Sequence, residues 1–312
     1  MLLHLPVSPL QQITGHPGAD KDIQLFVKRD DLLHPDIQGS KARKLAPVLD
    51  LARQHFPDGI ITFGGAFSNH LHAVAIAGHL FDIPTVGILR GTYVDVQNPT
   101  LKTCADHGMT LIPLPKATYA SHKQDDYGYW RASYPKAYIL PEGGNTPDAV
   151  LHCTNISAEI LAQLPPESLN RPLHICTPAG TGCTAAGVAA GLPASKGSTW
   201  VFPASSDNLE WETIRQLLPP GMLETPDIRW IPDYICGGFA RWDHNVMDFV
   251  HPFHQQTGIM PDPVYTAKML YGIFDLLTKG AFQEGSCIVA LHTGGQQGWA
   301  GFQHRFGALQ IV

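Results

Sequence analysis

The sequence predicts an α/β protein of two lobes, each built on parallel-rich, twisted sheets with helices on both faces. Three observations predict it. Short apolar, β-branched runs alternate with segments of helical periodicity, as parallel strands joined by helical crossovers do. A strand–glycine–helix unit occurs twice, around residues 59–81 and 172–192. The 312 residues suffice for one large domain or two modest ones with separate cores.

"IQLFVKRD" (23–30) reads as a strand, rich in β-branched and aromatic residues. "KARKLAPVLDLARQH" (41–55) sets Leu45, Val48, Leu49 and Ala52 on one side of a helix. "GIITFGG" (59–65) is a continuous apolar run ending in glycines, which suits a strand covered on both faces. "SNHLHAVAIAGHLF" (68–81) is a helix, "PTVGILRG" (84–91) a strand, "NPTLKTCADHG" (98–108) a helix and "TLIPLP" (110–115) a strand. Over 116–137 the pattern lapses into a polar, aromatic stretch that reads as a surface excursion or a domain junction. "YILPEGG" (138–144) restores a strand and "PDAVLHCTNISAEILAQL" (147–164) a long helix. "PLHICTPAGTGCTAAGVAAGL" (172–192) is the second strand–loop–helix unit. "TWVFPAS", "IRWIPDYI" and "CIVALHTGG" read as strands. "PVYTAKMLYGIFDLLTKG" (263–280) is a helix with Pro263 early and Gly280 at its end. A smaller lobe is expected at 46–150, inserted into a larger one made of 1–45 and 151–312.

Composition excludes several function classes. A net charge of −6 gives no global basic face, so nucleic acid is not an expected partner. No window approaches the roughly 18 apolar residues of a membrane span. "MLLHLPVSPLQQ" is broken by Pro6 and Pro9 and lacks the basic start of a signal peptide. The six cysteines have no C-x-x-C or zinc-finger spacing, so no metal site is expected. Cys176, Cys236 and Cys287 lie in apolar runs and read as buried free thiols of a reducing compartment. A cytoplasmic location is the expectation.

Four segments carry candidate chemistry, since ligands of open α/β sheets bind beyond the carboxyl ends of the strands. In "PAGTGCTAAG" (178–187), Gly180, Thr181, Gly182, Cys183 and Thr184 join a strand to a helix. The loop either eases that turn or cups one phosphate on its N–H groups. It is neither a Walker A loop nor a good dinucleotide fingerprint. In "GGAFSNHLH" (64–72), Ser68, Asn69 and His70 either cap a helix or bind a carboxylate, with Ser68 placed for chemistry. His72 and His79 read as helix-surface or packing residues. "ALHTGGQQG" (290–298) brings Thr293 to a strand end, as a capped turn or a site. In "QGSKARKL" (38–45), Ser40 reads as an N-cap and Lys41 as first-turn. The helix dipole, Arg43 and Lys44 there disfavour a further cation. The run is either a solvated basic helix start or a means of freeing the Lys41 amine as a nucleophile.

Together with "VKRDDLLHPDIQGSKARKL" and "DPVYTAKMLYGIFDLL", these segments resemble, in order, the aminocyclopropane-carboxylate deaminase and D-cysteine desulfhydrase family. The resemblance spans roughly residues 23–298. It implies the tryptophan-synthase β-like fold (fold type II) and pyridoxal 5′-phosphate as cofactor. Lys41 matches the lysine that bonds the cofactor and then moves a substrate proton. Asn69 matches the partner of the cofactor's phenolic oxygen, and Gly180–Thr184 the phosphate loop. Thr293 matches the partner of the pyridine nitrogen. Ser68, Asn69 and His70 match the substrate-carboxylate site, and Tyr265 a substrate-facing acid or base. Cys183 stands where small residues are usual and is not expected to be a reactive thiol. Phe239 stands at the family's second active-site tyrosine, which weighs against ring opening of aminocyclopropane-carboxylate and also against D-cysteine desulfuration. "TAK" replaces "TGK" at 266–268, a local packing change. The deaminase type tends to place a glutamate at the ring nitrogen, so Thr293 leans toward the desulfhydrase side.

The leading expectation is therefore a lyase or deaminase that takes a small amino acid, D-cysteine or a relative, and releases ammonia and a 2-oxo acid. The alternatives are an aminocyclopropane-carboxylate deaminase, a racemase, a β-replacement enzyme, a cofactor-binding protein with little turnover, or a nucleotide site. The resemblance also implies a homodimer.

Overall fold

Two sheets organise the chain. The computed structural model describes residues 2–205, 209–220, 225–241 and 243–307. In chain order the elements are β1 (Leu10–Ile13), β2 (Gln24–Lys28), α1 (Ser40–His55), β3 (Ile60–Gly64), α2 (Asn69–Leu80), β4 (Thr85–Arg90), α3 (Pro99–Asp106), β5 (Thr110–Leu114), α4 (Lys116–Gln124), α5 (Gly128–Ser133), β6 (Tyr138–Leu140), α6 (Pro147–Gln163), β7 (Leu173–Ala179), α7 (Cys183–Gly191), β8 (Ser198–Pro203), α8 (Leu209–Leu217), β9 (Ile228–Trp230), α9 (His244–Thr257), α10 (Thr266–Thr278), β10 (Cys287–Leu291) and α11 (Gly298–Phe306). One sheet has the order β1-β2-β10-β7-β8-β9 and the other β5-β4-β3-β6. All pairings are parallel except the edge pair β1–β2.

Alternation along each strand explains the layers. In the four-stranded sheet, Ile60 and Leu140 pack with Leu45 and Leu49 of α1 and Leu71 and Val74 of α2. Their neighbours Ile61, Phe63, Ile88 and Ile139 face the opposite way, onto Tyr119 of α4 and Trp130 of α5. In the larger sheet, Leu25, Val27 and Ile288 pack on Met269, Leu270 and Ile273 of α10. Phe26, Ile175 and Val289 pack instead on Ile156 and Ile160 of α6 and Val188 of α7. Both sheets are thus covered on two faces, which is why their strands read as unbroken apolar runs.

The structure changes two readings here. Residues 116–137 are not an irregular excursion. They form α4 and α5, and Tyr119, Tyr127 and Trp130 close the core around Phe63, whose ring centroid lies 4.2 Å from that of Tyr127. Aromatic spacing in a polar stretch hid the helices; burial of about 150–250 Å² per ring stabilises them. The edge strand β1 and the helices α8, α9 and α11 were also not anticipated. α9 carries Pro252 in its interior, a residue that argues against helix, although Asp243 caps it by accepting from Val246 N–H.

Among the described residues, no helix is long and apolar enough to cross a membrane. No group of His, Cys, Asp and Glu is placed to hold a metal ion there. All six cysteines are free, and only Cys236 is not buried.

Candidate active site

The carboxyl ends of β3, β7 and β10 converge with the start of α1 on one cleft of about 910 Å³. This is where a parallel sheet presents unpaired backbone groups to a ligand. All the predicted catalytic, cofactor and substrate residues line it except Cys183. Cys183 is fully buried, and a hydrogen bond from Cys153 of α6 draws its thiol below the ordinary range. Its side chain therefore packs between α6 and α7 and does not line the cleft.

The start of α1 is built differently from expectation. Ser40 makes no cap; Gly39 holds the cap position with φ +63°. A Cβ at Gly39 would lie 1.8 Å from the Thr293 carbonyl oxygen, so only glycine fits. The Ser40 N–H donates to that same carbonyl at 3.2 Å. The turn after β10 thus caps α1 and fixes Lys41 beside Thr293. Burial, and then the neighbouring Lys44, draw Lys41 down to about 7. Arg43, expected to add repulsion, is instead neutralised. Its guanidinium donates to both carboxylate oxygens of Asp30 at 2.7 Å and to Glu159 at 2.7 and 2.9 Å. Lys28 reaches the same Glu159 at 2.7 Å. This buried network ties α1 to β2 and α6. Lys44 donates to the Gly143 carbonyl at 3.0 Å.

At the start of α2, Ser68 is an N-cap, its Oγ accepting from His70 and Leu71 N–H at 3.2 and 3.3 Å. Among the described residues the Asn69 N–H makes no such bond, and Asn69 lines the cleft. The Asn69 Oδ1 accepts from Gln297 Nε2 at 3.0 Å, which leaves the Asn69 NH₂ for a ligand oxygen. His70 is buried. Its Nε2 lies 2.8 Å from Thr62 Oγ1, whose own proton goes to the Leu140 carbonyl at 2.9 Å. Thr62 must therefore accept from Nε2–H, which leaves His70 Nδ1 as a bare acceptor with no partner among the described residues. Burial, and then Lys41 and Lys44, hold this imidazole neutral. His72 also lines the cleft, half-buried, with burial pulling it to about 4. His79 is exposed and stands edge-on to His107.

The loop after β7 turns at Gly182, whose φ is +84°. α7 begins there with no side-chain cap, so its first N–H groups are open to an anion. Across the cleft, Asp262 accepts from Val264 and Tyr265 N–H at 2.9 and 3.1 Å and from Thr266 N–H at 2.7 Å. It locks the turn that aims Tyr265. Burial first, then Asp262, push the Tyr265 phenol far above its ordinary value, so it stays protonated. Phe239 stands edge-on to Tyr265, ring centroids 5.9 Å apart. Lys268 holds the loop bearing Phe239, donating to the carbonyls of Ile235 and Gly238 at 2.7 and 2.6 Å.

Sequence reasoning missed Asn145, Asp262, Lys268 and Gln297. Asp262 had a readable signal, an acid four residues before Thr266 at a helix start. The other three act through contacts remote in sequence.

A family model described as "Pyridoxal-phosphate dependent enzyme" matches residues 3–294. A putative 1-aminocyclopropane-1-carboxylate deaminase of Pyrococcus horikoshii is 29% identical over 310 residues, covering 94% of this chain and 90% of that one. A D-cysteine desulfhydrase of Klebsiella pneumoniae (strain 342) is 26% identical over 313 residues, covering 93% and 91%. A crystal structure described as an ACC deaminase homologue superposes with a TM-score of 0.79 at 24% identity, covering 100% of this chain and 95% of that one.

Proposed function

The chain belongs to the pyridoxal-phosphate dependent enzyme family, and from that premise we propose that it is a D-cysteine desulfhydrase-type lyase releasing ammonia and a 2-oxo acid. Its cofactor is pyridoxal 5′-phosphate. The residues fit that group: open N–H groups at α7 for the phosphate, the Asn69 amide for the phenolic oxygen, the Lys41 amine for the aldehyde. The Thr293 hydroxyl, which makes no hydrogen bond among the described residues, suits the ring nitrogen. When bound, the cofactor supplies a sink for electrons left at a substrate Cα.

The chain's own groups would do the rest. With its pKa drawn to about 7, much of Lys41 is neutral at neutral pH and can take a proton from Cα. The Asn69 N–H and the N-terminal end of α2 orient the substrate carboxylate. Tyr265, held protonated by burial, keeps an O–H that can hydrogen-bond a leaving group. Thr293 carries the choice of reaction. A hydroxyl does not hold a ring proton as a carboxylate does, so the sink is weaker, which favours elimination over transamination. Phe239 offers no proton, which weighs against cyclopropane ring opening.

The test is 2-oxo acid and ammonia release from D-cysteine, D-serine and β-chloroalanine by the purified holoenzyme, with Lys41→Ala as the inactive control. Cofactor uptake without 2-oxo acid from any of them would overturn the lyase reading in favour of a racemase, a β-replacement enzyme or a cofactor-binding protein. Turnover of aminocyclopropane-carboxylate alone would make it a deaminase. A homodimer is part of the proposal, read by light scattering.

A further inference from the structure

Two arginines of the cleft, Arg90 and Arg305, make no ion pair among the described residues. Arg90 ends β4 and lines the cleft, yet its guanidinium makes no hydrogen bond or ion pair among the described residues. Its Nη2 lies 3.5 Å from where a Cβ on Gly65 would be, so it overlies the loop that leads into Ser68 and Asn69. Arg305 of α11 flanks the same loop. Its Cζ sits 5.5 Å from the Phe67 ring centroid and 4.9 Å from that of Phe306. One nitrogen donates to the Ala240 carbonyl at 3.2 Å. Two aromatic faces and a carbonyl thus hold this guanidinium in place with its remaining donors unused.

Two acids of the cleft are paired: Glu142 with Lys123 at 2.8 Å, and Asp126 with Arg131 at 3.7 Å; Glu210 accepts from the Ser205 hydroxyl and keeps its charge. The anions the proposed function requires are also assigned elsewhere. The cofactor phosphate belongs at the start of α7, and the substrate α-carboxylate at Asn69. A chain of net charge −6 has therefore placed two arginines that make no ion pair among the described residues at one wall of its cleft.

We propose that, besides D-cysteine and its neutral analogues, the cleft accepts amino acids with a second anionic group beyond the α-carboxylate, and that Arg90, assisted by Arg305, recognises it. The substrate class is an amino acid with an acidic substituent on or beyond Cβ, and a planar carboxylate is the group a guanidinium fork matches best. The inference rests on the cofactor and α-carboxylate placement of the proposed function, not on its elimination step.

Alanine and aspartate give the cleanest comparison, because they differ by one carboxylate and neither has a leaving group. Each enantiomer is titrated into the holoenzyme, and binding is read from the change in the visible absorbance of the lysine-bound cofactor. We expect one enantiomer of aspartate to bind roughly tenfold or more tighter than the matching alanine, about the effect of one charge-assisted contact. Arg90→Gln should bring aspartate to the alanine level and leave alanine unchanged, and Arg305→Gln should give a smaller loss. Equal binding of the two amino acids by the unaltered enzyme would overturn the proposal. So would an Arg90→Gln variant that weakens alanine as much as aspartate, since Arg90 would then hold the α-carboxylate. Because no elimination is measured, the outcome stands apart from the lyase test.

Discussion

Asn145 and Thr181 are joined twice. The Asn145 Nδ2 donates to the Thr181 carbonyl at 2.6 Å, and the Thr181 hydroxyl returns a bond to Asn145 Oδ1 at 2.8 Å. Asn145 lies between β6 and α6, where the chain passes from the smaller sheet to the helices of the larger one. Thr181 lies in the loop proposed for the cofactor phosphate. Gly143 makes the approach possible: a Cβ there would sit 2.3 Å from Thr181 Oγ1. Asn145→Ala removes both bonds, at roughly 0.5–1.5 kcal/mol each. Cofactor affinity of the apoprotein, followed by fluorescence titration, should fall about tenfold, with circular dichroism unchanged.

Lys41 should cost the apoprotein stability in a defined pH window. Its pKa falls from 10.5 unfolded to about 7 folded, so the unfolded chain binds more protons between those values. Stability therefore rises with pH across that window, and the penalty is fully present below it. Lys41→Met removes the charge and keeps most of the side-chain volume. Its melting temperature should exceed that of the parent apoprotein near pH 6–7, and the difference should shrink toward pH 10. A gain that does not change with pH would argue against a lowered lysine.

Capture of cofactor by the parent apoprotein should follow the same group with a simpler profile. The amine reacts only when neutral, so the rate should rise with pH through about 7 and then level off. Stopped-flow absorbance at fixed cofactor concentration reads this directly.

Arg43→Met should destabilise the fold by about 3–5 kcal/mol, because Asp30 and Glu159 lose a buried counter-charge. The exposed pair Lys102–Asp106, 63% and 58% accessible, makes a control. Lys102→Ala should shift stability by less than about 1 kcal/mol. Urea midpoints of the two variants separate the cases.

Phe239→Tyr restores a phenol beside Tyr265. Positioned acids contribute about 10²–10⁴-fold. Ring opening of 1-aminocyclopropane-1-carboxylate should therefore rise at least about tenfold over the parent enzyme, measured as 2-oxobutanoate formed.

Local chemistry was legible in the sequence because nearest neighbours decide it. Gly182 turns left-handed, Ser68 caps α2, and the apolar runs of β3, β7 and β10 are strands, all as their residue types imply. The grouping of Lys41, Asn69, Thr181, Tyr265 and Thr293 could be inferred only through a family resemblance, and the structure brings them to one cleft. Position 40 shows where local reading stops. A serine before a helix suggests a cap, but the Thr293 carbonyl, 253 residues away in the chain, takes that place and requires Gly39.

The sequence by itself determined which segments become strands, helices and glycine turns, and which side chains carry reactive groups. Those depend on steric and hydrogen-bonding preferences within a few residues. Only the tertiary structure decided what those groups experience. It paired Arg43 with Glu159, clamped Thr181 with Asn145 and turned the Asn69 amide with Gln297. It also drew Lys41 down by burial more than by the neighbouring charges that first drew notice. Desolvation and partner choice depend on atoms that meet only when distant segments pack, and no periodicity along the chain encodes them.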